Sequence, residues 1–256
     1  MPISKRPRHA DLWDGVKQGA MLGAAVLALT LPPASVATRR LDGGVTAHVA
    51  GASVAAKSAA PRLADFNGHE ASADARFIAN WVADARDNRQ SPFVILDKRD
   101  ARVFAFDPNG RLIDSSPVLL GAAPGDDSVV GIGKRPIAQV RPEERTTPAG
   151  RFVARPGRNS GGEDVIWVDY EAAVSMHRVR PIDPKERRLQ RLASPDPTQR
   201  RISYGCINVP VVFFEKVLHP LLGTRGGIVY VLPETRELRQ VFANAYPVDR
   251  TATAKL

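Results

Sequence analysis

Cys206 is the one cysteine in 256 residues, and it lies in Ser203-Tyr204-Gly205-Cys206-Ile207-Asn208-Val209-Pro210. A thiol in such company can act as a nucleophile. The preceding glycine lets the backbone approach a substrate closely. Backbone N–H groups at such a turn can point at a carbonyl oxygen that is gaining charge. The alternative is a buried structural cysteine, because a free thiol packs as a small hydrophobe. A nucleophilic cysteine also needs a base, since the free thiol titrates at about 8.5 and the thiolate is the reactive form. Five histidines are available. His9 lies in the N-terminal segment, and His48 and His69 in or beside an alanine-rich arm. His219 sits near the end of a helical pattern, where capping explains it. His177 remains, on a strand pattern, and pairs with Cys206 as the candidate dyad.

The elements that must position this pair are mostly short strands. Phe77, Ile78, Trp81, Val82 and Ala85 recur at helical spacing and predict a helix over about 70–87, with Trp81 as a packing anchor. From Ser91-Pro92 onward the period changes to two. Phe93–Leu96, Val103–Phe106, Arg111–Leu120, Ile137–Val140, Phe152–Ala154, Val165–Tyr170, Val174–Val179 and Ile228–Leu232 all read as strands. Asp107-Pro108-Asn109-Gly110 and Thr146-Thr147-Pro148-Ala149-Gly150 read as turns. Pro181–Arg200 reads as a long polar loop with a helical turn around Glu186–Leu192. Its arginines Arg187, Arg188, Arg191 and Arg200 are expected to border the cleft and hold an acidic substrate. Val211–Leu222 reads as a helix buried on Val212, Phe213, Val217 and Leu221, and 234–256 as a short helix and tail. The pattern predicts a mainly β sandwich or barrel with one or two packed helices.

The composition, 43% hydrophobic and 25% charged, is that of an ordinary globular chain. Residues 1–37 read as an export signal: Lys5, Arg6, Arg8 and Lys17, then an apolar run Gly19–Leu31, then Pro32-Pro33 and small residues up to Ala37. The alternative is an uncleaved membrane anchor, for which the run is short. Residues 38–68 read as a linker, 69–90 as the helix segment and 91–233 as the catalytic domain. The net charge of +9 suits an anionic partner, but no basic stripe with interleaved aromatics suggests nucleic acid. A lone cysteine excludes an internal disulfide and cysteine-rich zinc sites, and no metal or cofactor is expected.

With these residues in view, the chain resembles the L,D-transpeptidase catalytic domain, the YkuD-like family, from about Phe93 to Pro233. Ser203-Tyr204-Gly205-Cys206-Ile207-Asn208 is similar to the family's Ser/Thr-X-Gly-Cys-hydrophobic-Arg/Asn pattern. Thr147-Pro148-Ala149-Gly150-Arg151-Phe152 is similar to its Thr-Pro-X-Gly-X-Phe segment. Ile95-Leu96-Asp97-Lys98 and Pro117-Val118-Leu119-Leu120-Gly121 follow the early strands. Arg178 stands where relatives carry a small residue, Tyr204 where many carry His, and the 26 positions from His177 to Ser203 exceed the usual spacing by an insertion within Pro181–Arg200. The resemblance implies peptidoglycan synthesis and a role in cell-wall biogenesis and cell shape, with stem peptides as substrate and carbapenems as inhibitors. It implies a thioester on Cys206, His177 as base, the N–H groups of Gly205 and Cys206 around the oxyanion, and the backbone carbonyl of Arg178 orienting His177 while its side chain varies freely. Ser203, Tyr204 and Asn208 would shape the site. A carboxypeptidase using the same pair, and a silent wall-binding scaffold, are the alternatives.

Overall fold

The computed structural model describes residues 60–248. The expected export segment 1–37 and most of the 38–68 linker lie outside the described residues, as does the tail beyond 248.

Alternating side chains build one sheet that is buried on both faces at β1, β2 and β10. Its strands are β1 (Phe93–Asp97), β2 (Arg102–Phe106), β3 (Leu112–Pro117), β5 (Gly150–Arg158), β6 (Asp164–Asp169), β7 (Val174–Arg178), β9 (Ile207–Val209) and β10 (Gly227–Val231). They run in the order β3-β2-β1-β10-β5-β6-β7-β9. A bridge between Leu119 and Asn208 brings the two ends together, so the eight-stranded sheet nearly closes. A short pair, β4 (Leu120–Gly121) with β8 (Arg201–Ser203), sits beside this closure.

The first helix, α1 (Ala73–Ala85), starts where the Ser72 hydroxyl accepts the Ala75 N–H, and ends at Arg86 with φ 53°. It buries Ala75, Ile78, Ala79, Trp81 and Val82 against Phe93, Ile95, Phe104, Phe106, Ile228 and Tyr230. The intervening residues Val94, Leu96, Val103, Ala105, Val229 and Val231 face the other core. That core is covered by the helix of residues 211–222, here α3, whose α turns Val211–Phe213 and His219–Leu222 flank a π turn, Phe214–Leu218. Pro220 cannot donate to the ladder, which explains the wide turn before it. Between β7 and β8 lies α2 (Arg188–Ala193); after β10 comes α4 (Leu238–Val241). The chain is therefore mainly β, with a helix on each face of the sheet.

Several expectations need correction. Ile137–Gln139 is a 3-10 turn rather than a strand: it lies between Pro136 and Pro142, and Ile137 is exposed with no neighbouring strand. The long strand expected over Arg111–Leu120 breaks after Pro117, which lacks a backbone donor. The buried face of α3 is Phe213, Phe214, Val217, Leu218 and Leu222; Val212 is exposed. Residues 60–68 are no loose arm. Asp65 exchanges backbone hydrogen bonds with Gly110 and Leu112, and the Phe66 ring packs edge-on against Phe104 and Phe106.

Candidate active site

The parallel pairing of β7 with β9 assembles the site. Met176 aligns with Ile207 and His177 with Asn208. Met176 and Ile207 point into the core, so Ser175, His177 and Asn208 lie on the opposite face. Cys206, one residue before β9, joins them there. Its thiol is half-buried, 3.8 Å from the Ser175 hydroxyl, and donates to the Ala173 carbonyl at 3.5 Å.

His177 is held in one tautomer. Its Nδ1 donates to the Arg178 carbonyl at 2.8 Å, which puts the acceptor lone pair on Nε2, where it faces the Asn208 amide at 3.4 Å. Burial pushes the Cys206 thiol up. Hydrogen bonding and charge from His177, aided by the Ser175 backbone and hydroxyl, outweigh that and hold the thiol below its ordinary value. The Arg178 side chain is not free to vary. Its guanidinium bonds Asp164 and Glu215 and lies 4.1 Å over the Phe214 ring, so it ties β7 to β6 and α3.

The cysteine turn is tightly tied. Ser203 donates its hydroxyl to the Cys206 carbonyl at 2.6 Å and accepts the Gly205 N–H at 3.1 Å. The Gly205 N–H is thus engaged by Ser203, whereas the Cys206 N–H has no partner among the described residues. Ser203 is buried and works on the turn itself. Thr147 donates to the Gly205 carbonyl at 2.8 Å and accepts the Gly121 N–H, so the Thr-Pro-X-Gly segment braces the turn. Asn208 donates to the Cys206 carbonyl at 3.2 Å and faces His177 Nε2 at 3.4 Å. Tyr204 is partly exposed beneath the Arg145 guanidinium.

The insertion reaches this site through one residue. Arg188 donates to Asn208 Oδ1 at 2.6 Å, which fixes which end of that amide faces His177. Leu192 seats the segment on Leu119, Val179 and Ile202. Arg187 is exposed and lines a shallow pocket with Arg191, whereas the guanidinium groups of Arg191 and Arg200 are taken by backbone carbonyls. Arg200 is buried on the carbonyls of Asp100, Ala101 and Ser194. Arg191 holds the carbonyls of Glu186 and Gln199. A groove of about 690 Å³ is lined by Ala173, Gly133, Lys134, Trp167, Tyr170 and Arg158; its link to the site is Ala173, whose carbonyl accepts the Cys206 thiol.

Comparison with solved structures returns a consistent set. The catalytic domain of the Enterococcus faecium L,D-transpeptidase is 16% identical with a TM-score of 0.33, over 56% of this chain and 98% of that one. The L,D-transpeptidase of Xylanimonas cellulosilytica is 17% identical with a TM-score of 0.33, over 55% of this chain and 60% of that one. The helical cell shape determining protein Pgp2 of Campylobacter jejuni is 16% identical with a TM-score of 0.37; the match covers 57% of this chain and 49% of that one. The structural neighbours are L,D-transpeptidase catalytic domains. The chain spans about half the length of the Pgp2 chain it matches. No protein-family model matches the sequence, and no curated protein does.

Gly205 offers a local test of the turn. Its φ is 124°, and an added Cβ would stand 2.7 Å from the Thr146 carbonyl oxygen. Gly205→Ala is expected to cost roughly 1–3 kcal/mol from the strained backbone, more if the carbonyl cannot move. Urea unfolding and the alkylation rate of Cys206 should both register it. An unchanged midpoint with an unchanged rate would show that the turn is not held as described.

Proposed function

We propose that this chain is a cysteine acyltransferase of the L,D-transpeptidase kind, acting on peptidoglycan stem peptides. The observation that carries this reading is the placement of Cys206, Ser175 and His177 together by the β7–β9 pairing, with His177 Nδ1 fixed on the Arg178 carbonyl. The order and content of the motifs support it from the sequence side.

In this mechanism His177 Nε2 takes the thiol proton. The sulfur attacks the carbonyl at the L-centre of a diamino acid linked to D-alanine, forming a C–S bond. The Cys206 N–H stabilises the oxyanion. The C–N bond then breaks, and His177 hands its proton to the departing D-alanine amine. A second amine attacks the thioester, loses a proton to His177, and releases the thiol. Water in place of that amine gives a carboxypeptidase.

Export of the chain to the periplasm or cell envelope belongs to the same proposal and rests on the charge and apolar pattern of residues 1–37. No helix among the described residues is long and apolar enough to cross a membrane. The purified protein mixed with tetrapeptide muropeptides is expected to yield cross-linked dimers in mass spectra. Shortened peptides alone would make it a carboxypeptidase. No change would favour a silent scaffold and defeat the proposal.

A further inference from the structure

One cation at the cysteine turn has no acid of its own. Arg145 forms no ion pair among the described residues. Its guanidinium lies 4.1 Å over the Tyr204 ring, its Nη2 donates to the Val140 carbonyl at 3.3 Å, and its Nε is buried without a partner. The neighbouring acid cannot serve it. Glu144 accepts two bonds from the Arg135 guanidinium and two from Arg141, one of them from the backbone. Glu143 lies against Arg141 as well.

The position follows from how residues 145–147 run along the turn. The Thr146 carbonyl lies against Gly205, and the Thr147 hydroxyl bonds the Gly205 carbonyl. This places Arg145 over Tyr204, two residues before the thiol. A guanidinium is weakly hydrated and presents a rigid fork that matches a carboxylate. Stacking on a ring restrains it without using its N–H groups. A site restrained in advance loses less freedom when it binds.

We propose that Arg145, braced on Tyr204, binds a carboxylate of the acyl donor next to the bond that Cys206 attacks. This rests on the stem-peptide reading above and gives it a recognition element. It also moves the anion-binding role from the insertion to the segment before Thr147. Two donor carboxylates have the required chemistry: the one at the D-centre of the diamino acid and the terminal one of D-alanine.

The test is calorimetric binding to Cys206→Ala protein, which does not depend on turnover. Three stem tetrapeptides serve as probes: the free acid, the D-centre amide, and the terminal amide. Arg145→Gln is expected to weaken the free acid about tenfold or more, the scale of a charge-assisted pair. For the peptide amidated at the recognised carboxylate, the Arg145 protein should already bind weakly, and Arg145→Gln should add nothing. The other amide should behave as the free acid does, which identifies the carboxylate. Arg145→Lys, which keeps the charge, should retain part of the affinity, and Tyr204→Ala should lose more than Tyr204→Phe. Equal weakening of all three peptides by Arg145→Gln, no weakening, or no binding of any peptide would overturn the proposal. Arg145-dependent binding without turnover by wild-type protein would sink the transpeptidase reading and leave this site standing. Turnover indifferent to Arg145 would do the reverse.

Discussion

His177→Ala is expected to slow turnover about 10²–10⁴-fold, the usual contribution of a positioned acid–base group. Cys206→Ala should abolish turnover with the fold intact, since only a sulfur is lost. The two changes differ in what they do to the thiol. In the wild type, burial raises the Cys206 pKa, and His177 and Ser175 more than cancel that. Without His177, burial is opposed by Ser175 alone, so the pKa must rise. Alkylation follows the thiolate fraction, so the midpoint of its pH profile moves to higher pH and the rate at neutral pH falls. A carbapenem should add its mass to the wild-type protein and not to Cys206→Ala. Superimposable alkylation curves for wild type and His177→Ala would mean that another group activates the thiol.

The largest stability effect is expected at Lys98. This side chain is fully buried. Its ammonium donates to Asp126 at 2.7 Å and to the carbonyls of Gly125 and Thr147, and lies 3.3 Å from Glu234. Asp126 also accepts from the N–H groups of Glu234, Thr235 and Arg236 and from the Thr235 hydroxyl. Lys98→Met leaves two buried carboxylates near each other, with Arg201 and Arg236 as their remaining ionic partners. Breaking such a pair from one side costs about 3–5 kcal/mol. For a chain of this size that lowers Tm by roughly 6–20 °C. The sign of the pH dependence also follows. Burial raises the Asp126 carboxyl, and its Lys98 and backbone bonds pull it well below the ordinary range. A depressed carboxyl stabilises the fold above its unfolded value of 3.8 and loses that contribution as pH falls toward the folded value. The variant lacks the Lys98 share of this contribution, so its deficit against wild type should narrow below about pH 4. Calorimetry across pH 3 to 7 would decide it, and a deficit that stays constant would show that the network is not ionic.

The period-two strands were readable because each alternates residues between two cores, as Phe93 and Ile95 do against Val94 and Leu96. The lone cysteine and the one histidine on a strand were readable for the same reason: few residues competed for the role. Other features depend on distant partners and leave little local trace. Ile207–Val209 is too short to declare itself a strand, yet its pairing with β7 is what aligns Asn208 with His177. Lys98 looks like a surface residue in sequence, and only folding brings Asp126 and Glu234 to it. The arginines of 181–200 suggest an anion site by composition. Backbone carbonyls consume Arg191 and Arg200, which spacing alone does not reveal. Arg178 was expected to contribute only its carbonyl, because Asp164 and Glu215 lie 14 and 37 positions away.

The place of β10 in the sheet bears on how the chain can be made. This strand lies between β1 and β5, and Phe93 pairs with Ile228, 135 positions later. Without β10, β3-β2-β1 and β5-β6-β7-β9 are two half-sheets, joined at the Leu119–Asn208 bridge and the β4–β8 pair beside it. Neither half can bury its central edge, and the two cores on either side stay open to water. Sheets that depend on such remote pairings fold slowly, because the loop must be closed before any contact rewards it. Among the described residues, the sheet is therefore completed only when β10 is seated between β1 and β5, and both cores close with it.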